Sequence, residues 1–183
     1  MLVDVCSHSD SSACEALAAY DAVAWGGTGE ALACGWEEVQ HRFAVTGEHP
    51  SSLKKCNYSL TLSPPSGPAV GLLCLHVHAR GAIVQTLHVM PDFRGKGLSR
   101  LLWSAAKQHA MRVLKGAKRS KILFSLVETC ARTLCVASFY ITKLGWEASP
   151  DVLAALKKAK ETGQPPQWWY GGVFELSYAL YSS

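Results

Sequence analysis

Between Leu87 and Leu102 the chain reads Leu87-His88-Val89-Met90-Pro91-Asp92-Phe93-Arg94-Gly95-Lys96-Gly97-Leu98-Ser99-Arg100-Leu101-Leu102. An apolar strand-forming run ends at Pro91, two glycines flank a lysine, and a helical pattern begins at Leu98. A turn of this kind captures anions. Its backbone N–H groups point outward unpaired, the helix N-terminus adds roughly half a positive charge, and the glycines let a phosphate approach without a side chain in the way. The spacing predicts a diphosphate site, against the plainer reading of a tight strand-to-helix connection. Two nucleotide motifs do not fit: Gly-x-x-x-x-Gly-Lys-Ser/Thr is absent, and Gly-x-Gly-x-x-Gly fails because Arg100 holds its third glycine position.

Other reactive side chains are less organised. His76, His78 and His88 are expected close together in the folded sheet, yet no Cys or carboxylate completes a metal-ligand spacing, and no metal is expected. The seven cysteines are odd in number and contain no Cys-x-x-Cys pair, which argues against a disulfide framework and for an intracellular, cytoplasmic or nuclear, location. Residues 1–10 do not read as a signal peptide. The stretch Asn57 to Ala79, free of Lys, Arg, Asp and Glu, is broken by Pro64-Pro65-Ser66-Gly67-Pro68, so no membrane span is expected. A length of 183 residues with 49% hydrophobic and 17% charged residues predicts a single folded domain, residues 1–183. The net charge of +4 suits an anionic ligand and gives no clear nucleic-acid signal.

The elements that must position the turn follow from periodicity. Leu2 to Cys6 predicts a strand, and the Ser12-x-x-Glu15 spacing opens a helix to about Trp25. A second helical stripe follows at Leu32, Trp36, Val39 and Phe43. Asn57 to Leu62, Val70 to Val77 and Ala82 to Val89 predict three strands joined by short turns, an antiparallel meander. Leu98 to Leu114 is expected as a helix, Lys121 to Val127 as a buried strand and Ala131 to Leu144 as another helix. A short strand at Trp146, a helix from Asp151 to Glu161 and a last strand from Val173 to Leu180 complete the order. The loop Gln164 to Tyr170 carries Trp168-Trp169-Tyr170.

With that order in view, Val89-x-Pro91-x-Phe93-Arg94-Gly95-x-Gly97-Leu98-Ser99 followed by Leu101-Leu102 resembles the acetyl-CoA-binding motif of the GNAT superfamily of N-acetyltransferases. Ser138-Phe139-Tyr140-Ile141-Thr142-Lys143-Leu144-Gly145-Trp146-Glu147 resembles the superfamily's second motif. The resemblance implies an α/β GNAT fold, a central mixed twisted sheet of about seven strands flanked by helices. It also implies a function: transfer of an acetyl group from acetyl-CoA to a primary amine by direct attack. Leu87, His88 and Val89 would pair with the pantetheine arm, and the N–H groups of Arg94, Gly95, Lys96, Gly97, Leu98 and Ser99 would hold the diphosphate. Asp92 departs from the motif's usual Gln or Arg. Arg94 and Lys96, with Lys107 or the Lys115-Lys118-Arg119-Lys121 cluster, are expected to offset it. Thr133 stands where many members carry a cofactor-contacting Asn.

The chemistry sets two further needs. An acceptor lysine, with pKa near ~10.4, must lose a proton before it attacks, and the departing thiolate must gain one. Tyr140 sits where the family's general-acid tyrosine sits. Glu128, twelve residues earlier, matches the glutamate and tyrosine spacing of members that acetylate protein N-termini, and is the expected base. The fourth strand offers no carboxylate in its place; Gln85 there can only position a water. The expected acceptor is accordingly a protein or peptide amine, lysine or N-terminal. Two alternatives stay open: a small-molecule amine acetyltransferase, and a non-catalytic module that binds acyl-CoA or a protein.

Overall fold

The computed structural model describes residues 1–7, 15, 18–20, 22–24, 58–78, 81–114, 121–128, 133–164, 166 and 174–181. These belong to two compact units, Met1–Ala117 and Lys118–Ser183.

The first unit is built on four strands in the order β1 (Leu2–Ser7), β2 (Tyr58–Ser63), β3 (Gly71–His78) and β4 (Gly81–Val89). Each is antiparallel to the next, as the meander reading expects. The proline-rich turn after β2 closes with the Val70 N–H donating to Leu62 O at 2.8 Å. β3 is apolar at four consecutive positions, and Leu72, Leu73, Cys74 and Leu75 are all fully buried. Continuous burial requires cover on both faces of the strand, and both covers are present. On one face lies α1 (Leu98–Val113), which buries Leu98, Leu102, Trp103, Ala106 and Ala110. A Cβ built on Gly71 would come 3.0 Å from Leu102 Cδ1, so this glycine allows the helix to approach the sheet. On the other face Tyr20, from the helical residues 18–20, packs with Leu72 and Cys74. The register of β3 against β4 shifts between Cys74, paired with Thr86, and Leu75, paired with Val84, which leaves Gln85 as the extra residue of a bulge.

The second unit holds β5 (Lys121–Glu128), α2 (Thr133–Leu144), β6 (Glu147–Ala148), α3 (Pro150–Thr162) and β7 (Phe174–Tyr181). β7 is central, antiparallel to β5 along its length and to β6 at Glu147↔Ser177. Helix α3 starts where its sequence demands. Ser149 accepts from the Val152 N–H at 3.3 Å, Pro150 occupies the first turn, and Gly163 ends the helix at φ +75°.

Seven strands flanked by helices give the α/β architecture expected from the sequence, and boundaries agree within two residues. The expected helical stripe from Leu32 to Phe43 lies outside the described residues, as do Trp168, Trp169 and Tyr170. No helix among the described residues is long and apolar enough to cross a membrane.

Candidate acetyl-donor site

The Met90 N–H donates to Val70 O at 2.9 Å, extending the pairing of β3 and β4 one residue past β4. Pro91 then opens a single 3-10 turn, Pro91–Phe93, closed by Phe93 N–H to Met90 O at 2.9 Å and Arg94 N–H to Pro91 O at 3.1 Å. Gly95 and Gly97 follow in the left-handed region, at φ +77° and +76°. That backbone is costly for any residue with a Cβ. Gly97 is the N-cap of α1, and its carbonyl accepts from Arg100 at 3.0 Å and Leu101 at 3.4 Å. Among the described residues, the amides of Gly95, Lys96, Gly97, Leu98 and Ser99 donate to no backbone carbonyl. No side chain caps the helix and no acidic residue stands in its first turn. A Cβ on Gly95 or Gly97 would meet no atom within 4 Å, so the space over the turn is open. Five consecutive amides without backbone partners at a bare helix N-terminus, with open space over Gly95 and Gly97, fit a diphosphate.

The turn's cations are disposed differently from the expectation. Arg94, though exposed, bonds back to the end of β4. Its Nε donates to Val89 O at 2.8 Å, and its Nη2 lies 3.4 Å from His88 Nε2. Lys96 also folds back, its Nζ donating to Asp92 O at 3.2 Å and lying 5.2 Å from the centre of the Phe93 ring. The guanidinium finds a carbonyl and an imidazole within reach, whereas an extended side chain would hold its charge in water alone. Lys107 lies over the Trp103 ring, 5.4 Å from its centre. Lys115, Lys118 and Arg119 lie outside the described residues, and of Lys121 only the backbone is described.

The structure also separates the histidines. His88 pairs with Leu72 and His76 with Ile83, so the two lie about 13 Å apart along the strand and form no cluster. His78 pairs with Gly81 at the far end of the hairpin. His88 instead meets a residue that sequence reasoning missed. Tyr20 Oη lies 2.7 Å from His88 Nδ1, and the rings stand edge to face at 5.9 Å. Burial and, secondarily, the Arg94 charge hold the His88 pKa below the ordinary 6.5. Burial pushes the Tyr20 hydroxyl well above its ordinary value. Nothing in local spacing flags Tyr20, because it lies 68 residues from its partner.

Leu87, His88 and Val89 thus end β4 and Arg94 to Ser99 form the turn, but the Arg94 N–H, expected among the diphosphate donors, is taken by Pro91 O, because the 3-10 turn closes on it. The other three candidates belong to the second unit. Glu128 is the last residue of β5, paired with Phe174 of β7. Thr133 is the first residue of α2. Tyr140, two turns further along α2, is 3% exposed. Its ring meets Trp146 edge to face at 5.0 Å and Phe139 at 6.0 Å.

The class defined by this fold and turn is that of acetyltransferases, and the comparisons with known proteins agree. The Acetyltransferase (GNAT) family model matches residues 37–131. That is just over half of the chain, and the protein belongs to this family: it is an N-acetyltransferase of the GNAT type. No match to a curated protein sequence was found. Among solved structures, the chain is similar to the ribosomal-protein-S18-alanine N-acetyltransferase of Escherichia coli, with a TM-score of 0.53 and 13% identity over 100% of this chain and 96% of that one. It is also similar to an acyl-CoA N-acyltransferase of Pseudomonas aeruginosa, with a TM-score of 0.50 and 14% identity over 96% and 97%. At such identity both likenesses speak to the fold alone.

Proposed function

We propose that this protein moves an acetyl group from acetyl-CoA to an amine of a protein or peptide, a lysine side chain or an N-terminus, with the acceptor attacking directly. The observation that carries the reading is the open Gly95–Ser99 turn with its five amide donors. Those amides would hold the diphosphate, the backbone of Leu87, His88 and Val89 would lie along the pantetheine arm, and Thr133 would add a hydroxyl. When bound, the cosubstrate supplies an activated acetyl thioester.

The remaining work falls to this chain's own groups. Glu128, at the end of β5, takes the proton that the acceptor amine must lose, directly or through a water. Tyr140 carries a phenolic hydroxyl, a proton donor for the departing sulfur. The spacing of Glu128 and Tyr140 supports a protein or peptide acceptor. The family match runs across the boundary between the two compact units, which supports reading residues 1–183 as one acetyltransferase domain.

The test is a thermal shift with acetyl-CoA, followed by mass spectrometry of a mixed peptide and metabolite pool incubated with enzyme and cosubstrate. The expected result is stabilisation by acetyl-CoA and a mass gain of one acetyl group on peptides. Acetylation confined to polyamines, amino sugars or arylalkylamines would overturn the acceptor, and absence of any shift would overturn the site.

A further inference from the structure

Four groups of the first unit form a continuous chain that the acetyl-transfer reaction does not itself require. Tyr20 Oη stands 2.7 Å from His88 Nδ1, His88 Nε2 stands 3.4 Å from Arg94 Nη2, and Arg94 Nε donates to Val89 O at 2.8 Å. The chemistry of the members fixes the direction. A guanidinium only donates, so Nε2 accepts, and the neutral imidazole then carries its proton on Nδ1 and donates it to the Tyr20 oxygen. Tyr20 is 2% exposed and is packed with Leu72, Cys74 and Met90, so the inner end of the chain is anchored in the core. The outer end is Arg94, the residue immediately before Gly95, where five amides stand without backbone partners. A glycine turn in the left-handed region has many alternatives open to it, and an anchored residue on its N-terminal side removes most of them.

We propose that Tyr20 and His88 are positioning residues for the acetyl-CoA site: by holding Arg94 back against Val89 they preset the Gly95–Ser99 amides, and Arg94 serves the site by its place rather than by its charge. The proposal rests on the reading that this turn takes the diphosphate. Affinity gained this way comes from ordering the turn before the ligand arrives.

Acetyl-CoA affinity is to be measured by calorimetry for wild type, Tyr20→Phe, Arg94→Ala and the double variant, with melting temperatures recorded for each. Loss of one hydrogen bond in the chain is expected to weaken acetyl-CoA binding about three- to tenfold in either single variant. The double variant is expected to bind no more weakly than Arg94→Ala alone, because both changes break one device. If the two losses multiply, Arg94 meets the diphosphate independently and the proposal falls, while the turn as the binding site stands. Should Tyr20→Phe unfold, His88→Gln and His88→Leu replace it. The amide of Gln can still accept from Arg94, so His88→Gln is expected to keep affinity that His88→Leu loses; equal affinities in the two overturn the proposal. Nitrogen resonances of the unliganded protein must show a neutral His88 protonated on Nδ1, and the opposite tautomer also overturns it. If wild type binds no acetyl-CoA at all, the function proposed above fails, and this inference fails with it.

Discussion

The backbone N–H of Trp146 donates to the carbonyl of Tyr140 at 3.1 Å, while the two rings meet edge to face with centroids 5.0 Å apart and planes at 87°. One residue thus fixes the other twice, once through the main chain and once through the ring. Gly145 makes the arrangement possible by turning the chain at φ +75° between the end of α2 and Trp146. The Tyr140 ring is therefore held by packing, separately from whatever its hydroxyl does.

That separation makes Tyr140→Phe an informative change. The ring and its contact with Trp146 survive, and the hydroxyl is lost. The expected outcome is a fall in kcat of about 10²-fold or more with little change in melting temperature, read by steady-state kinetics at saturating acetyl-CoA. Glu128→Gln should lower kcat similarly and flatten its rise with pH. An unchanged kcat in both would remove these two residues from the reaction.

Gly145→Ala is expected to destabilise rather than inactivate. A Cβ there would lie 3.8 Å from Tyr178 Cε2, an ordinary contact, so the cost comes from the left-handed backbone. It should amount to about 1 kcal/mol, a fall in melting temperature of about 2–4 °C. Calorimetric melting decides it.

Gly97→Val places a branched side chain over the open turn and forces a β-branched residue toward φ +76°. The KM for acetyl-CoA should rise at least about tenfold, the scale of losing one or two charge-assisted donors. The KM for the acceptor should move far less. Initial-rate kinetics in both substrates would show the split.

Stability should fall on mild acidification. His88 and His109 both have pKa values below the ordinary 6.5, each mainly through burial, with Arg94 and Arg112 adding to the effect. In the unfolded chain they take up protons near pH 6.5, whereas the folded protein resists until lower pH. The unfolded state then binds more protons, and folding stability declines as pH drops from about 6.5 through the lower folded values. Melting temperatures across pH 5–8 should show this decline, and it should shrink in His88→Gln and in His109→Gln.

Much of the architecture is legible in local pattern, for stated reasons. Tyr58, Leu60 and Leu62 alternate as one buried face requires, although β2 in fact buries Ser59 and Thr61 as well. The helical stripe at Leu98, Leu101, Leu102, Ala105, His109 and Val113 marks α1, but its buried face is Leu98, Leu102, Trp103, Ala106 and Ala110, with Leu101 and Val113 exposed. The Gly95-Lys96-Gly97 turn is legible because glycines after a strand and before a helix have few other uses. The directions of Arg94 and Lys96 are not legible, since a long cation beside a carbonyl folds back whenever the carbonyl is near enough, and nearness is tertiary. The separation of His76 from His88 is set by register, which a strand's own residues do not contain.

The order of amino acids by itself determined the elements, the two-glycine turn before α1 and the family, because these depend on periodicity and on residue types a few positions apart. Only the folded chain decided that Tyr20 reaches His88 across 68 residues, that Arg94 donates back to Val89 O, and that Trp146 clasps Tyr140. Contacts between distant segments arise when apolar faces bury together, and the polar groups carried along must find partners wherever that burial leaves them.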